Sequence, residues 1–166
     1  MEVHDEQVED DVDAMLVEKE GEEMNLRATQ VKALKNGLLT PMKEFMTTKD
    51  DNGEQVVRAE VAIAIIKLIR RFPIEHFNAE LIGTIHKIGK CLKAKDIKVR
   101  DIARETLCKI TKELGPFFLG FIVKEISFHL DRGFEIHVRN FTVFKILEVL
   151  IPQHGADREE KQVAYG

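Results

Sequence analysis

The chain has 166 residues, a formal net charge of −4 at pH 7 and 44% hydrophobic residues. Residues 1–23 contain eleven acidic side chains and only one basic side chain, so the other 143 residues carry a net charge of +6. The acidic N-terminus lacks the basic start and apolar run of a signal peptide, and charged residues interrupt every apolar stretch, which excludes a membrane span. We therefore expect a soluble intracellular protein. Its two cysteines, Cys91 and Cys108, are predicted to be small buried side chains of a reducing compartment.

The chain divides into three parts by composition. Residues 1–23 are predicted to be an acidic disordered segment, with a short amphipathic helix formed on a partner as the alternative. Residues 24–152 are predicted to be a HEAT-like helical repeat segment, and residues 153–166 a polar tail. Between residues 26 and 48 we expect two short helices or one strongly kinked helix, because Asn36-Gly37 favours a helix end and Thr40-Pro41 favours a new start. Residues 50–53 have the composition of a turn.

A five-residue phrase, an acid followed by two variable residues and then Val-Arg, occurs three times. Its copies are Glu54–Arg58, Asp96–Arg100 and Glu135–Arg139, and the intervals between the arginines are 42 and 39 residues. Each copy begins a predicted helix, over residues 54–71, 96–114 and 134–151. Self-similarity at about 40–47 residues is typical of HEAT and armadillo repeats. We predict an all-α fold, an α-solenoid of about three antiparallel helical hairpins, in which the three motif helices are neighbours in one wall.

Two further helices, residues 77–93 and 116–131, are predicted to be the hairpin partners. The second is apolar over most of its circumference, so we expect both of its sides to be covered. The phenylalanines of this region are at helical spacing among Ile, Leu and Val, which predicts core side chains and not a platform for stacking nucleic-acid bases. These phenylalanines are Phe117, Phe118, Phe121, Phe128, Phe134, Phe141 and Phe144.

The acid and the arginine of each motif are four residues apart, which places them on the same helix face. We expect them to pair, either within a repeat or between successive repeats as a ladder that sets the register of the layers. The alternative is a solvated surface pair of little energetic value. The residues concerned are Glu54, Arg58, Asp96, Arg100, Glu135 and Arg139.

Candidate catalytic and metal-binding groups are sparse. No glycine-rich phosphate loop is present, and neither cysteine lies at a helix start that would lower its pKa. His129 and His137 flank a turn with Asp131 and Glu135 nearby, but a zinc site needs three or four converging ligands, and the usual i,i+4 pairing on one helix face is not expected here. We therefore predict no enzyme activity, no cofactor and no metal.

The basic surplus of the chain is concentrated between His86 and Lys112, a segment with a net charge of +6. Five lysines surround the predicted turn between two helices and would project from one edge of the stack. They are Lys87, Lys90, Lys93, Lys95 and Lys98. Such an edge can contact RNA phosphates without reading sequence, and an ordinary solvated face is the alternative.

Residues 114–150 resemble a known family. The marks are Leu114-Gly115-Pro116, Lys124-Glu125, Arg132-Gly133-Phe134, His137-Val138 and Thr142-Val143. They resemble the very large HEAT-repeat subunit of the small-subunit processome, the family called "down-regulated in metastasis" (DRIM). The resemblance implies a non-catalytic nucleolar scaffold of pre-ribosomal RNA processing, without cofactors or membrane contact. Its implied partners are other processome proteins, pre-ribosomal or small nucleolar RNA bound through the backbone, and a continuation of the same solenoid.

A generic HEAT adaptor, such as part of a transport receptor or a signalling scaffold that binds only protein, is the competing interpretation. The repeat period alone does not separate the two. Because the last predicted hairpin has no polar capping helix after it, we expect the chain to be one segment of a longer array.

Overall fold

The computed structural model describes residues 27–51, 53 and 55–151. The acidic segment 1–23 and the polar tail 153–166 lie outside the described residues. The α-helices are α1 Ala28–Leu34, α2 Thr40–Met46, α3 Ala59–Ile69, α4 Ile74–Cys91, α5 Ile97–Leu114, α6 Leu119–His129 and α7 Glu135–Leu150. A π-helical segment, Lys35–Leu39, joins α1 to α2, and a 3-10 turn, Pro116–Phe118, precedes α6. The two short strands are β1 Thr47–Lys49 and β2 Gln55–Val57.

The helices are arranged in two walls. Helices α3, α5 and α7 contact one another in chain order along one wall, and α4 and α6 are neighbours in the other. The buried apolar side chains of these layers form one continuous cluster. The predicted all-α helical repeat fold is confirmed, and so is the adjacency of the three helices that follow the motifs.

Local sequence explains where α4 and α5 begin and end. Pro73 precedes α4, where its fixed φ suits a helix start. The Asp96 carboxylate caps α5 by accepting a hydrogen bond from the Lys98 amide at 2.9 Å. At the other end of α5, Gly115 has φ +91°, a conformation that a residue with a Cβ adopts only at a cost. The short connections that result force α4, α5 and α6 to double back on each other.

The region before the first motif, predicted as two short helices or one strongly kinked helix, contains two short α-helices joined without a break by the π-helical segment. Asn36-Gly37 does not end the helix; both residues lie in the π-helical segment. Pro41 has no amide hydrogen to donate, and the Thr40 amide bonds the Lys35 carbonyl five residues earlier. The Thr40 hydroxyl also donates to that carbonyl at 2.9 Å. The proline therefore widens the helix locally and does not restart it.

The first motif is not helical, in contrast to the prediction of a helix over residues 54–71. Thr47↔Val57 and Thr48↔Val56 pair across an antiparallel β-hairpin, and α3 begins only at Ala59. Gly53 has φ +78° and its amide bonds the Asp50 carbonyl at 2.9 Å, as the predicted turn requires. Four β-branched residues facing each other across this turn favour the hairpin over a helix.

Of the seven phenylalanines predicted to be core side chains, Phe118 and Phe121 are partly buried and pack against the core, and for the other five the prediction is wrong. Phe128 is 73% exposed and Phe134 68%, and Phe117, Phe141 and Phe144 are also exposed. Helix α6 buries only Ile122, Ile126 and His129, so one of its sides is covered and not both.

Within the described ranges, none of the helices is long and apolar enough to cross a membrane.

Candidate functional site

The turn between α4 and α5 carries the lysines of the predicted edge, and Arg100 holds its backbone in place. Its guanidinium donates to the carbonyls of Ala94 and Lys95 at 2.7 and 2.8 Å. The carbonyls after a helix end have no helical donor, so the arginine supplies the missing hydrogen bonds. The lysines of this turn are therefore carried on a fixed backbone.

The five lysines of the predicted edge do not all project from it. Lys90, Lys95 and Lys98 are exposed. Lys93 is 44% exposed and lies 3.4 Å from the Glu135 carboxylate at the start of α7. Lys87 is half-buried, and its ammonium donates to the Lys43 carbonyl at the end of α2, at 2.8 Å. Lys87 thus belongs to the packing between α2 and α4, and the exposed edge consists of the other four.

The predicted ladder between acids and arginines is not formed by the described motif residues. Arg100 bonds backbone carbonyls, and Asp96 caps its own helix. Glu135 pairs with Lys93, and Arg139 donates to the neighbouring Asn140 side chain at 3.3 Å. The described motif residues thus use their charges on helix caps, backbone carbonyls and other side chains.

Arg58 has a comparable local role in the β-hairpin. It donates to the Phe45 carbonyl and the Thr48 hydroxyl, both at 2.7 Å, and its guanidinium lies 4.1 Å from the Phe45 ring centroid. Glu54 lies outside the described residues. The recurring Val-Arg therefore marks the starts of layers, while the arginine itself satisfies whatever acceptors are nearby.

Other charged residues connect the layers. The Glu80 carboxylate on α4 pairs with Lys35 at 2.8 Å and with Lys43, which ties the first helices to α4. Burial raises the pKa of Glu80, but the hydrogen bonds and charges of the two lysines outweigh burial, so its pKa lies below the ordinary value. Arg70 at the end of α3 lies 3.6 Å from the Glu113 carboxylate on α5.

The residues considered for a metal around the α6–α7 turn do not converge. Glu135 is engaged by Lys93, Asp131 is 3.7 Å from Arg132, and His137 is exposed. A different trio comes together instead, His86 of α4 with Glu125 and His129 of α6. The expectation that no i,i+4 pair of ligands exists is therefore wrong, since Glu125 and His129 are spaced i,i+4 on one face of α6. Burial, followed by the charges of His86, Lys90 and Lys93, lowers the pKa of His129.

Both cysteines are buried, as predicted. The Cys91 thiol donates to the Lys87 carbonyl at 3.4 Å, and burial raises its pKa to about 11. Burial also raises the pKa of Cys108. Neither thiol is ionised at neutral pH, and the thiolate is the nucleophilic form.

Stacked hairpins around one continuous core, with a lysine-bearing turn at one edge, define a helical-repeat protein. The match to a known family is specific. The chain belongs to the family of the U3 small nucleolar RNA-associated protein 20 domain, whose model matches residues 29–164.

Two curated relatives are similar to this chain, and both are named U3 small nucleolar RNA-associated protein 20. The Schizosaccharomyces pombe protein is 27% identical over 121 residues, which cover 73% of this chain. The Saccharomyces cerevisiae protein is 31% identical over 123 residues, which cover 74% of this chain. In each case the matched part is 5% of the relative, so this chain spans a small fraction of the length of the proteins it resembles.

Proposed function

We propose that this chain is a segment of a non-catalytic HEAT-repeat scaffold of the small-subunit processome. It acts in pre-ribosomal RNA processing and small ribosomal subunit biogenesis in the nucleolus. The observation that carries this proposal is the family match over residues 29–164, to proteins named for their association with U3 small nucleolar RNA. The resemblance of residues 114–150 to the DRIM family supports the same proposal.

The chemistry of the described surface supports a scaffold role. The two thiols are buried and protonated, while the prominent exposed groups are lysines at one edge and phenylalanines on the last hairpin. Lysines and phenylalanines of this kind bind other molecules through charge and apolar contact and need no reacting group. This combination suits contacts with a protein surface and with a nucleic-acid backbone.

The RNA contact that we propose is electrostatic. Lys90, Lys95 and Lys98 are exposed on a turn whose backbone Arg100 fixes, so their ammonium groups can follow a phosphate backbone without ordering the turn first. Lys93 contributes less because Glu135 already neutralises part of its charge. Contacts of this kind position RNA and do not read its sequence.

The test is capture of the tagged 166-residue chain from a nucleolar extract, with U3 small nucleolar RNA quantified in the eluate at increasing salt. We expect the RNA to be enriched over a tag-only control. The triple variant K90Q/K95Q/K98Q should lose the RNA at lower salt than the wild type. In direct titrations with a U3 transcript, the slope of log K against log salt should fall by about 2–3 in this variant, since each lost phosphate contact removes a little less than one unit.

The matched control is K32Q/K49Q/K67Q, which removes the same charge from exposed lysines on α1, β1 and α3. It should keep the wild-type slope. If the wild-type chain captures no U3 RNA, the processome assignment fails. If capture succeeds but the K90Q/K95Q/K98Q variant behaves as the wild type, the lysine edge is not the contact.

The second candidate function, a protein-only adaptor, is favoured by the exposed phenylalanines of α6 and α7. An apolar surface of this kind marks a protein contact. The adaptor predicts negligible affinity for the naked transcript at physiological salt, before any substitution. In that case, RNA in the capture experiment would be recovered only through bound proteins.

A further inference from the structure

Three side chains with metal-ligating atoms converge between α4 and α6. One ligand atom from each of His86, Glu125 and His129 can be chosen so that all three lie within 4.8 Å of one another. His86 comes from α4, while Glu125 and His129 lie one turn apart on α6. Two layers of the stack thus contribute to a single cluster.

His129 is built into this position. It is only 6% exposed, and its ring centroid lies 4.3 Å from that of His86. A Cβ on Gly89 would come within 2.7 Å of the His129 ring, so a glycine at this point of α4 is what allows the imidazole to approach the helix. The close packing holds one imidazole beside the other.

One nitrogen of this buried ring lacks a partner. His129 Nε2 makes no hydrogen bond within the part of the chain that the structure describes. Buried polar atoms without partners are rare in folded proteins, because leaving one unpaired costs about 1–3 kcal/mol. An imidazole nitrogen in this condition has a lone pair or a proton that an additional ligand would satisfy.

We propose that His86, Glu125 and His129 form a divalent-cation site of the zinc class that joins α4 to α6. Two imidazole nitrogens and one carboxylate oxygen are a donor set that zinc accepts, with water in the fourth position. Ligand atoms at about 2.0–2.2 Å from one ion are at most about 4.4 Å apart, so small side-chain rotations complete the site. The ion fixes one hairpin against the next. This inference is independent of the proposed role in RNA processing.

Local charge sets the expected affinity. Glu125 brings one negative charge to the site, whereas Lys90 and Lys93 act on His129 from the same side of the stack and oppose a cation. The site should therefore bind zinc more weakly than a site without cationic neighbours. It also follows that neutralising Lys90, which is exposed, should strengthen binding, by about two- to fivefold.

The experiment uses the full chain after treatment with a chelator and dialysis. Calorimetric titration with Zn²⁺ should give one bound ion per chain, and Co²⁺ should develop the visible absorption of a four-coordinate site. With free Zn²⁺ at about 100 times its dissociation constant, the thermal midpoint should rise by about 5–10 °C. H86A and E125Q should each abolish the Co²⁺ spectrum and reduce the thermal shift to below about 1 °C, while K90Q should bind more tightly than the wild type.

H137A is the matched control, because His137 is an exposed histidine on α7 outside the trio. It should bind Zn²⁺ as the wild type does. H86A and E125Q alter half-buried side chains, and their circular dichroism in chelator should match that of the wild type, which separates loss of the ion from loss of the fold. If the wild type binds no Zn²⁺, or if either variant retains the wild-type spectrum and thermal shift, the site does not exist.

Discussion

Helices α3 and α7 belong to the same wall and contain nine apolar residues each, yet α3 buries five of its 11 residues and α7 buries two of its 16. The difference is in their neighbours. Helix α3 packs against α2, α4 and α5, whereas the described contacts of α7 are with α5 and α6. In a stacked fold each layer is buried by the layers beside it, so apolar composition alone does not set burial.

The same comparison holds for the partner wall. Helix α4 buries seven of its residues, including Phe77, Leu81 and Ile85, and α6 buries three. The aromatic side chains that α6 and α7 leave exposed give the last hairpin an apolar outer surface. The middle of the stack is thus a filled core, and the α6–α7 hairpin is a surface suited to contacts.

The largest expected effect comes from cutting into the filled core. Leu107 on α5 is 0% exposed, so L107A should lower the free energy of unfolding by about 2–5 kcal/mol through lost burial and the cavity that remains. Phe144 on α7 is 53% exposed, and F144A should change the same quantity by less than about 0.5 kcal/mol, although it removes a larger side chain. Urea denaturation measures both. A loss in F144A as large as in L107A would show that α7 is as buried as α5.

The next effect concerns the ion pairs that join α4 to the first helices. E80Q removes the carboxylate shared by Lys35 and Lys43, both of them partly buried, and should cost about 1–3 kcal/mol near neutral pH. Because the pKa of Glu80 is lowered in the folded protein, its contribution is complete above the unfolded pKa and is lost as the pH falls through the folded pKa. Wild type and E80Q should therefore converge in stability in acid.

The measurement is the stability difference between wild type and E80Q, by urea denaturation over a series of pH values. E44Q is the control, since Glu44 is an exposed carboxylate on α2. Its difference from the wild type should be small at every pH. A wild-type advantage over E80Q that persists or grows in acid would contradict a lowered pKa for Glu80.

Much of the fold followed from local sequence signals. The sequence predicts helices over residues 77–93 and 96–114, within a few residues of the observed α4 and α5, and the repeat interval predicts the adjacency of α3, α5 and α7. The first motif has the same pattern as the other two copies, so the sequence predicts a helix for all three. In the structure the first motif is a strand, because Val56 and Val57 pair with Thr48 and Thr47 across the hairpin. Strand pairing depends on residues that a single motif does not contain.

The candidate sites were also predictable only in part from the sequence. The lysine edge was predictable because charge is visible in sequence, but Lys87 was wrongly included, since only the fold shows its ammonium beside the Lys43 carbonyl. The trio of His86, Glu125 and His129 joins residues about 40 positions apart, and the contact across the two layers is not encoded in either helix alone. The exposure of the phenylalanines likewise depends on which layers are present around them.

The smallest effect on stability is expected from substitutions on the outer surface of the α6–α7 hairpin. These substitutions should instead change how strongly the chain self-associates. The wild-type chain should show a sedimentation mass that increases with concentration, because the exposed apolar side chains gain by covering one another. In F128S/F134S/F144S this increase should be reduced, with each substitution changing the free energy of unfolding by less than about 0.5 kcal/mol. The control I82S/I97S/I102S replaces three exposed apolar residues on α4 and α5 and should associate as the wild type does. If the wild type is a monomer at every concentration, or if both triple variants lose association equally, the α6–α7 surface is no more adhesive than the rest of the stack.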